Sequence, residues 1–150
     1  MTKHYRLPAL ILFFVLSAWP AGADEENRFR LKVNAEGLRS MNGVVIFSLY
    51  NRDGTIPDRH LNQYFMSKAS PISGSQSSVI FEGLEKGTYA VSIVHDEDMD
   101  GKLDKGFLLP LEGVGISNYQ TIGLGNKPNF RGASFPLESD LTVRVKLIYM

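Results

Sequence analysis

The sequence predicts an all-β domain, an antiparallel β-sandwich, and three observations support that fold class. Apolar and polar residues alternate with a period of two at residues 29–33 and 141–149, as they do in half-buried strands. Short β-branched and aromatic runs recur between these two segments, and turn signals such as Asn51–Gly54 and Lys86-Gly87 separate the runs. Short strands with frequent turn signals are typical of an antiparallel sandwich.

The first 23 residues have the layout of a secretory signal peptide. A basic start at residues 3–6 precedes the apolar run Leu7–Leu16, and the small residues Ala21–Ala23 precede an acidic segment. A run of ten residues is too short for a membrane-spanning helix, which needs about 20. We therefore expect cleavage after Ala23, no membrane insertion afterwards, and export across the inner membrane to the periplasm or the cell exterior.

The remaining residues, 24–150, are predicted to form a single β-sandwich domain. Removing Lys3 and Arg6 with the signal peptide changes a balance of 16 basic and 16 acidic residues into a slight acidic excess. No run of Lys and Arg provides an electrostatic footprint for nucleic acid or an anionic membrane, so neither is expected as a partner. The chain has no cysteine, which excludes a disulfide framework and an acylated cysteine anchor.

The strands are predicted, in order, from local composition and alternation. Phe29, Leu31 and Val33 alternate with charged residues, and the runs GVVIFSLY and TYAVSIVH are β-branched and aromatic. Pro136 cannot donate to a sheet ladder, so its segment is predicted as an edge strand. The predicted strands are Phe29–Val33, Gly43–Tyr50, Val79–Phe81, Thr88–His95, Ser134–Leu137 and Leu141–Tyr149.

Two features of the connections carry further predictions. The segment His60–Lys68, HLNQYFMSK, is the one helix candidate in the mature chain. Tyr89 lies just after a Lys-Gly turn, and we expect it to act as a corner tyrosine whose hydroxyl ties down that turn.

The segment His95–Asp104, HDEDMDGKLD, has the spacing of a calcium-binding loop. Aspartates stand at every second position from 96 to 100, directly before Gly101. Ca²⁺ requires several oxygen ligands, and a chain that bends at a glycine directs alternate carboxylates toward one centre. The predicted metal ligands, for a structural Ca²⁺, are Asp96, Asp98, Asp100, the backbone carbonyl of Lys102, Asp104 and Glu112.

The loop departs from an EF-hand in two respects. It follows a strand instead of a helix, and Phe107 occupies the twelfth position, where an EF-hand has a bidentate glutamate. The missing carboxylate implies either a weaker site or a ligand from elsewhere, and Glu97 and Glu112 are the nearest spare carboxylates. The alternative is that Asp and Gly act here only as turn formers on a solvated surface.

Four segments resemble a bacterial secreted family, domain of unknown function 2141. The two most specific are the strand-like stretch Gly87–Asp96 and the segment Gly113–Asn118. The resemblance covers nearly the whole mature chain and implies an immunoglobulin-like or transthyretin-like sandwich of about seven strands that is exported and has no established activity. The segments are GLEKGTYAVSIVHDEDMDGKLD, PLEGVGISN, KPNFRGASFPL and VKLIY.

The chain departs from that family pattern at four positions. Relatives often have asparagines in the acidic loop, where this chain has Asp98 and Asp100, and aromatic residues in place of Val114 and Ile116. The added negative charge favours a cation. The aliphatic residues lack the flat face on which a sugar or base would stack.

The function expected from these features is that of a binding or interaction module with an unknown envelope or extracellular partner. The long segments 51–77 and 96–128 are predicted as its recognition surface, because loops on a rigid scaffold usually carry binding. One alternative is a carrier of a small hydrophobic ligand in a β-barrel cavity. The other is a hydrolase in which His95, oriented by Asp96 or Asp98, acts on Ser117.

Overall fold

The computed structural model of the chain describes residues 27–101, 112–123 and 125–149. The predicted signal peptide lies outside these residues, and so do Lys102 and Asp104. The described part of the chain contains eight strands and one short helix. In order these are β1 (Arg28–Glu36), β2 (Val44–Tyr50), β3 (Met66–Pro71), β4 (Ser77–Glu85), β5 (Gly87–Asp96), β6 (Gly113–Ile116), α1 (Phe130–Ala133), β7 (Phe135–Leu137) and β8 (Leu141–Lys146).

The strands form two sheets. One sheet has the order β4-β1-β8, and the other has the order β3-β2-β5-β6, with β7 also pairing with β5. The predicted all-β, two-sheet fold is confirmed. The strands are antiparallel neighbours except β1 and β8, which pair in parallel from Leu31 opposite Leu141 to Glu36 opposite Lys146. Two parallel strands need a long connection between them. Because β1 and β8 are the first and last strands, all the chain between them serves as that connection.

The main hydrophobic core lies between the two sheets. Alternate residues of β1, including Leu31 and Val33, are fully buried, while Lys32 between them is exposed. The predicted alternation of this strand is therefore confirmed. Each large apolar side chain removed from water contributes roughly 1.5–3 kcal/mol to the free energy of burial. The largest fully buried apolar side chains of this core are Leu31, Phe47, Leu49, Phe81, Leu84, Ile93 and Leu137.

A second apolar cluster covers the opposite face of the larger sheet. Tyr50 and Ala90 project from that face and pack with Ile56 and with Phe130 of α1. The side chain of Asn129 caps α1 by accepting a hydrogen bond from the Gly132 amide at 2.9 Å. Because β5 is covered on both faces, its sequence is apolar at successive positions instead of alternating strictly.

The helix predicted for residues 60–68 is wrong. Met66–Pro71 is strand β3, and residues 60–65 contain only bends and turns. The buried carboxylate of Asp58 accepts the Gln63 amide at 2.7 Å and the Tyr50 hydroxyl at 3.2 Å, and the Phe65 amide donates to the Leu49 carbonyl at 2.7 Å. These contacts with β2 occupy backbone groups that a helix would need, so tertiary pairing overrides local propensity.

Two predictions about the connections are confirmed. Pro136 lies in the three-residue strand β7, opposite Thr88 of β5. The Tyr89 hydroxyl donates to the Glu85 carbonyl at 3.0 Å and so closes the turn between β4 and β5. Burial raises the pKa of the Tyr89 hydroxyl, which therefore stays protonated and able to donate.

Candidate metal centre

The candidate metal centre lies where β5 ends and β6 begins. These strands are antiparallel, and His95 stands opposite Gly113. Successive residues of a strand point to opposite faces, so His95 faces the core between the sheets while Asp96 faces the other side. Glu112 directly precedes the paired residue Gly113, and the pairing therefore brings Glu112 beside the end of β5.

Three carboxylates converge at this point. One oxygen from each of Asp96, Asp98 and Glu112 lies within 4.8 Å of the others. Asp96 is 2% and Glu112 is 5% exposed, whereas Asp98 is exposed to solvent. An all-oxygen donor set with two buried carboxylates fits a hard cation such as Ca²⁺, which takes carboxylate ligands in mono- or bidentate form.

The loop after β5 is held by its own backbone amides. Asp96 accepts the Asp100 amide at 3.2 Å and the Gly101 amide at 2.9 Å, one on each carboxylate oxygen. Asp98 also accepts the Asp100 amide, at 3.0 Å. Met99 and Gly101 have φ values of +63° and +72°, so the chain turns sharply here. Each carboxylate oxygen has a second lone pair and could bind a cation while accepting an amide.

The structure brings together some of the ligands expected from the sequence. Asp96, Asp98 and Glu112 form the cluster. Asp100 lies in the same loop and contributes its backbone amide to the two neighbouring aspartates. Lys102 and Asp104 fall outside the described residues, so their predicted roles stay predictions.

His95 occupies a structural position beside this cluster. Its ring is fully buried, with Nε2 2.8 Å from the Asn42 carbonyl oxygen and Nδ1 2.7 Å from the Tyr149 hydroxyl. A carbonyl oxygen can only accept, so Nε2 carries the proton and donates, and in the neutral ring Nδ1 accepts from the tyrosine. Both ring nitrogens are therefore hydrogen-bonded, one to the first loop (residues 37–43, between β1 and β2) and one to the C-terminal segment (residues 147–149), and they hold both segments against β5.

An ion pair flanks the cluster on the side of the first loop. The guanidinium of Arg39 pairs with the carboxylate of Glu97, and the Ser40 hydroxyl donates to the same carboxylate at 2.7 Å. Hydrogen bonding from Arg39 first, and from Ser40, holds the pKa of Glu97 below its usual value despite partial burial. Arg39 also lies 4.6 Å from the centre of the Tyr149 ring. These contacts tie the first loop to the acidic loop.

Gly43 allows the first loop to approach the acidic loop. Its φ is +70°, and a Cβ at this position would lie 1.9 Å from the Asp96 carbonyl oxygen. Sequence reasoning did not identify Arg39, Ser40, Asn42, Gly43 or Tyr149 as part of the site. No spacing rule could have done so, because more than fifty residues separate Arg39 from its partner Glu97.

The arrangement expected for a hydrolase is not formed. Ser117 pairs with Val91: its amide donates to the Val91 carbonyl at 2.9 Å, whereas His95 stands four residues further along the same strand. The Ser117 hydroxyl is buried and donates to the Ala133 carbonyl at 2.7 Å. With both ring nitrogens of His95 engaged elsewhere, this histidine cannot act as a base toward Ser117.

The two predicted recognition segments each contribute to both ends of the sandwich. Residues 51–65, 117–123 and 125–129 lie at the end opposite the acidic loop, where Ile56 packs in one cluster with Tyr119 and Ile122 and where Arg131 of α1 donates to Asp53 at 2.9 Å. Residues 96–101 and the hairpin between β3 and β4 lie at the end that carries the acidic loop. The described chain therefore has two separate loop surfaces instead of one.

The space between the sheets is filled in the part of the chain that the structure describes. Phe47 of β2 and Phe81 of β4 are fully buried in this core, together with Ile93 of β5. This packing gives no support to a carrier with a ligand cavity inside a barrel.

Comparison with known proteins identifies a family without an assigned activity. Residues 33–144 match the family described as "Uncharacterized protein conserved in bacteria (DUF2141)". No curated protein and no solved structure matches the chain significantly. Among the described residues, no helix has both the length and the apolar character needed to cross a bilayer.

Proposed function

We propose that this chain, which belongs to the bacterial DUF2141 family, is an exported binding module whose acidic loop is held by a calcium ion. One observation carries the calcium part of the proposal: oxygens of Asp96, Asp98 and Glu112 converge within 4.8 Å, and two of these carboxylates are buried. Negative charges this close repel one another, most strongly where water is excluded. A divalent cation offsets that repulsion.

Calcium would act here by joining three points of the chain. Asp96 ends β5, Asp98 lies in the loop, and Glu112 precedes β6, so one ion bound by all three would close the connection between the two strands. The remaining oxygens of a site with six to eight ligands would come from backbone carbonyls, water or other residues of the loop. The ion has a structural role in this proposal.

The binding role is supported by the architecture. Two packed sheets form a rigid scaffold, and loops gathered at the ends of such a scaffold usually carry recognition. The family match assigns no reaction. The first loop, tied to the acidic loop by Arg39 and Glu97, would share any ordering that calcium produces.

Calcium binding is tested by calorimetry and thermal unfolding of the purified chain with CaCl₂ or EGTA. We expect a dissociation constant on the order of 10⁻⁴–10⁻³ M, as in extracellular calcium modules. Calcium at about 100 times that constant should stabilise the fold by about 2.7 kcal/mol and raise the melting temperature by several degrees.

Two variants distinguish calcium binding at this cluster from a general effect of the protein's net charge. Asp98→Asn should remove most of the calcium response without unfolding the protein, because this side chain is exposed. Glu82→Gln, at an exposed position of β4, makes the same change of charge away from the cluster and should leave the response intact. Absence of both binding heat and a melting shift at about 10 mM CaCl₂ would refute the calcium site.

Export is supported by the signal-peptide layout of residues 1–23. When the full chain is expressed in a bacterium, we expect it in the periplasmic or extracellular fraction, with an N-terminus at Asp24. N-terminal sequencing of the fractionated protein checks both points. Recovery of the intact chain, still beginning at Met1, only from the cytoplasm would contradict the proposal.

A further inference from the structure

The outer face of the sheet β4-β1-β8 carries an extended polar groove. A hollow of about 620 Å³ lies over the C-terminal half of β1 and is bounded by the β3–β4 hairpin. Its polar lining includes Lys32, Asn34, Glu36, Gln76, Ser78 and Arg144. This groove is distinct from the carboxylate cluster, which includes none of these residues.

The strand register explains why these side chains share one surface. Lys32, Asn34 and Glu36 alternate along β1 with residues buried in the core, so they face outward. Asn34 stands opposite Ser78 of β4 on one side and Arg144 of β8 on the other. Directly opposed residues of paired strands point to the same face, and the three side chains therefore form one row across the sheet.

A second hollow continues the groove along β1. It has a volume of about 200 Å³, and it shares Lys32 with the first hollow. Arg30, Asp140 and Thr142 also line it. Because a strand rises about 3.3 Å per residue, the path from Arg30 to Glu36 is roughly 20 Å long. The groove therefore suits a linear ligand of several units better than a compact one.

The groove has a positive centre. Arg30 pairs with Asp140 at 2.9 Å, and Arg144 pairs with Glu36 at 3.5 Å, so these four charges balance. Lys32 makes no ion pair or side-chain hydrogen bond within the described chain, and it lies where the two hollows meet. An anionic group placed there would gain a charged hydrogen bond without breaking an existing ion pair.

Neutral hydrogen-bonding groups line the larger hollow from Lys32 toward Glu36. Within the described residues, the side chains of Asn34, Gln76 and Ser78 have no hydrogen-bond partner, although all three line the larger hollow. Amides and hydroxyls both donate and accept, which matches the hydroxyl groups of a sugar. A nucleic acid or polyphosphate carries a charge on every phosphate and is bound mainly through several Lys and Arg side chains, whereas this groove offers a single unpaired cation.

We propose that this groove binds a linear oligosaccharide that contains carboxylated sugars. A ligand carboxylate would accept from Lys32, while sugar hydroxyls would exchange hydrogen bonds with Asn34, Ser78 and Gln76. Sugar stacking on an aromatic ring is not required, because the recognition is by hydrogen bonds and one charge. The proposal goes beyond the calcium-held loop and does not depend on the ion.

The test is titration of the purified full chain with trigalacturonate, followed by calorimetry and amide NMR shifts. We expect binding with shifts centred on β1 and β8, and no change when EGTA replaces calcium. Lys32→Gln should weaken binding about tenfold or more, because a charged hydrogen bond is lost. Lys127→Gln removes an exposed lysine outside the groove and should leave the affinity unchanged.

Two further ligands make the result decisive. Maltotriose, which lacks carboxylates, and triglutamate, which lacks sugar hydroxyls, should each bind at least about tenfold more weakly than trigalacturonate. The proposal is overturned if trigalacturonate fails to bind at about 10 mM, if triglutamate binds equally well, or if Lys32→Gln and Lys127→Gln have the same effect. A protein that does not bind calcium but still binds trigalacturonate would refute the calcium site and not the oligosaccharide site.

Discussion

Replacing Gly43 by alanine is expected to lower the free energy of unfolding by about 3–5 kcal/mol, which places it among the most damaging single substitutions. Two effects act together. The residue has a φ of +70°, which side chains with a Cβ rarely adopt, and the new methyl would lie 1.9 Å from the Asp96 carbonyl oxygen and 2.7 Å from the Glu97 Cα. Both contacts are with backbone, so no side-chain rotation relieves them.

Gly54→Ala is the matched control. Gly54 has a φ of +80°, close to that of Gly43, but nothing lies within 4 Å of its added methyl. In this variant the free energy of unfolding should fall only by the cost of placing a residue with a Cβ at positive φ, about 1–2 kcal/mol. Urea unfolding of both variants gives the comparison. Equal losses would show that the close approach of the first loop to β5 does not exist in solution.

The same two variants also test the proposed calcium site. Gly43 lies against the backbone of Asp96, the last residue of β5. A shift of the first loop would therefore move Asp96 together with its carboxylate. We expect any Gly43→Ala protein that still folds to bind calcium more weakly than the Gly54→Ala protein.

Replacing His95 by alanine is expected to cost about 3 kcal/mol of stability. The ring is fully buried, so its removal leaves a cavity. The Asn42 carbonyl and the Tyr149 hydroxyl, which lie 2.8 and 2.7 Å from the ring nitrogens, would each also lose the hydrogen bond to the ring. Urea unfolding measures the loss.

His60→Ala supplies the control for that variant, because His60 is exposed in the connection before β3 and its replacement should change stability by less than about 0.5 kcal/mol. A His95→Ala protein with unchanged stability and a lost hydrolytic rate would instead indicate a catalytic histidine. The engaged ring nitrogens argue for the structural role.

Much of the fold could be predicted from local sequence because strand signals are local. The alternation around Leu31 and Val33, the edge position of Pro136 and the corner hydroxyl of Tyr89 all depend on neighbours in sequence or on one turn, and each is confirmed. The helix predicted at residues 60–68 is wrong because this part of the chain bonds to β2 instead. The Phe65 amide donates to the Leu49 carbonyl, and the Tyr50 hydroxyl donates to Asp58 just before the segment.

The candidate site likewise combines residues that could be predicted from local sequence with residues that could not. The spacing of Asp96 and Asp98 pointed to a cation loop, and Glu112 could be named only as a nearby spare carboxylate. The pairing of β5 with β6 brings Glu112 to the cluster. Arg39 and Tyr149, which reach the site from distant parts of the chain, carried no signal in the sequence.

The sequence by itself determined the all-β class, most of the strands and the position of the acidic loop, because each depends on residues that are close along the chain; the export signal stays a prediction. Only the tertiary structure decided the parallel pairing of the first and last strands, the burial of two of the clustered carboxylates and the polar groove on β1. These features arise where segments distant in sequence meet, and the contacts that select them are made only when strands far apart along the chain pair with one another.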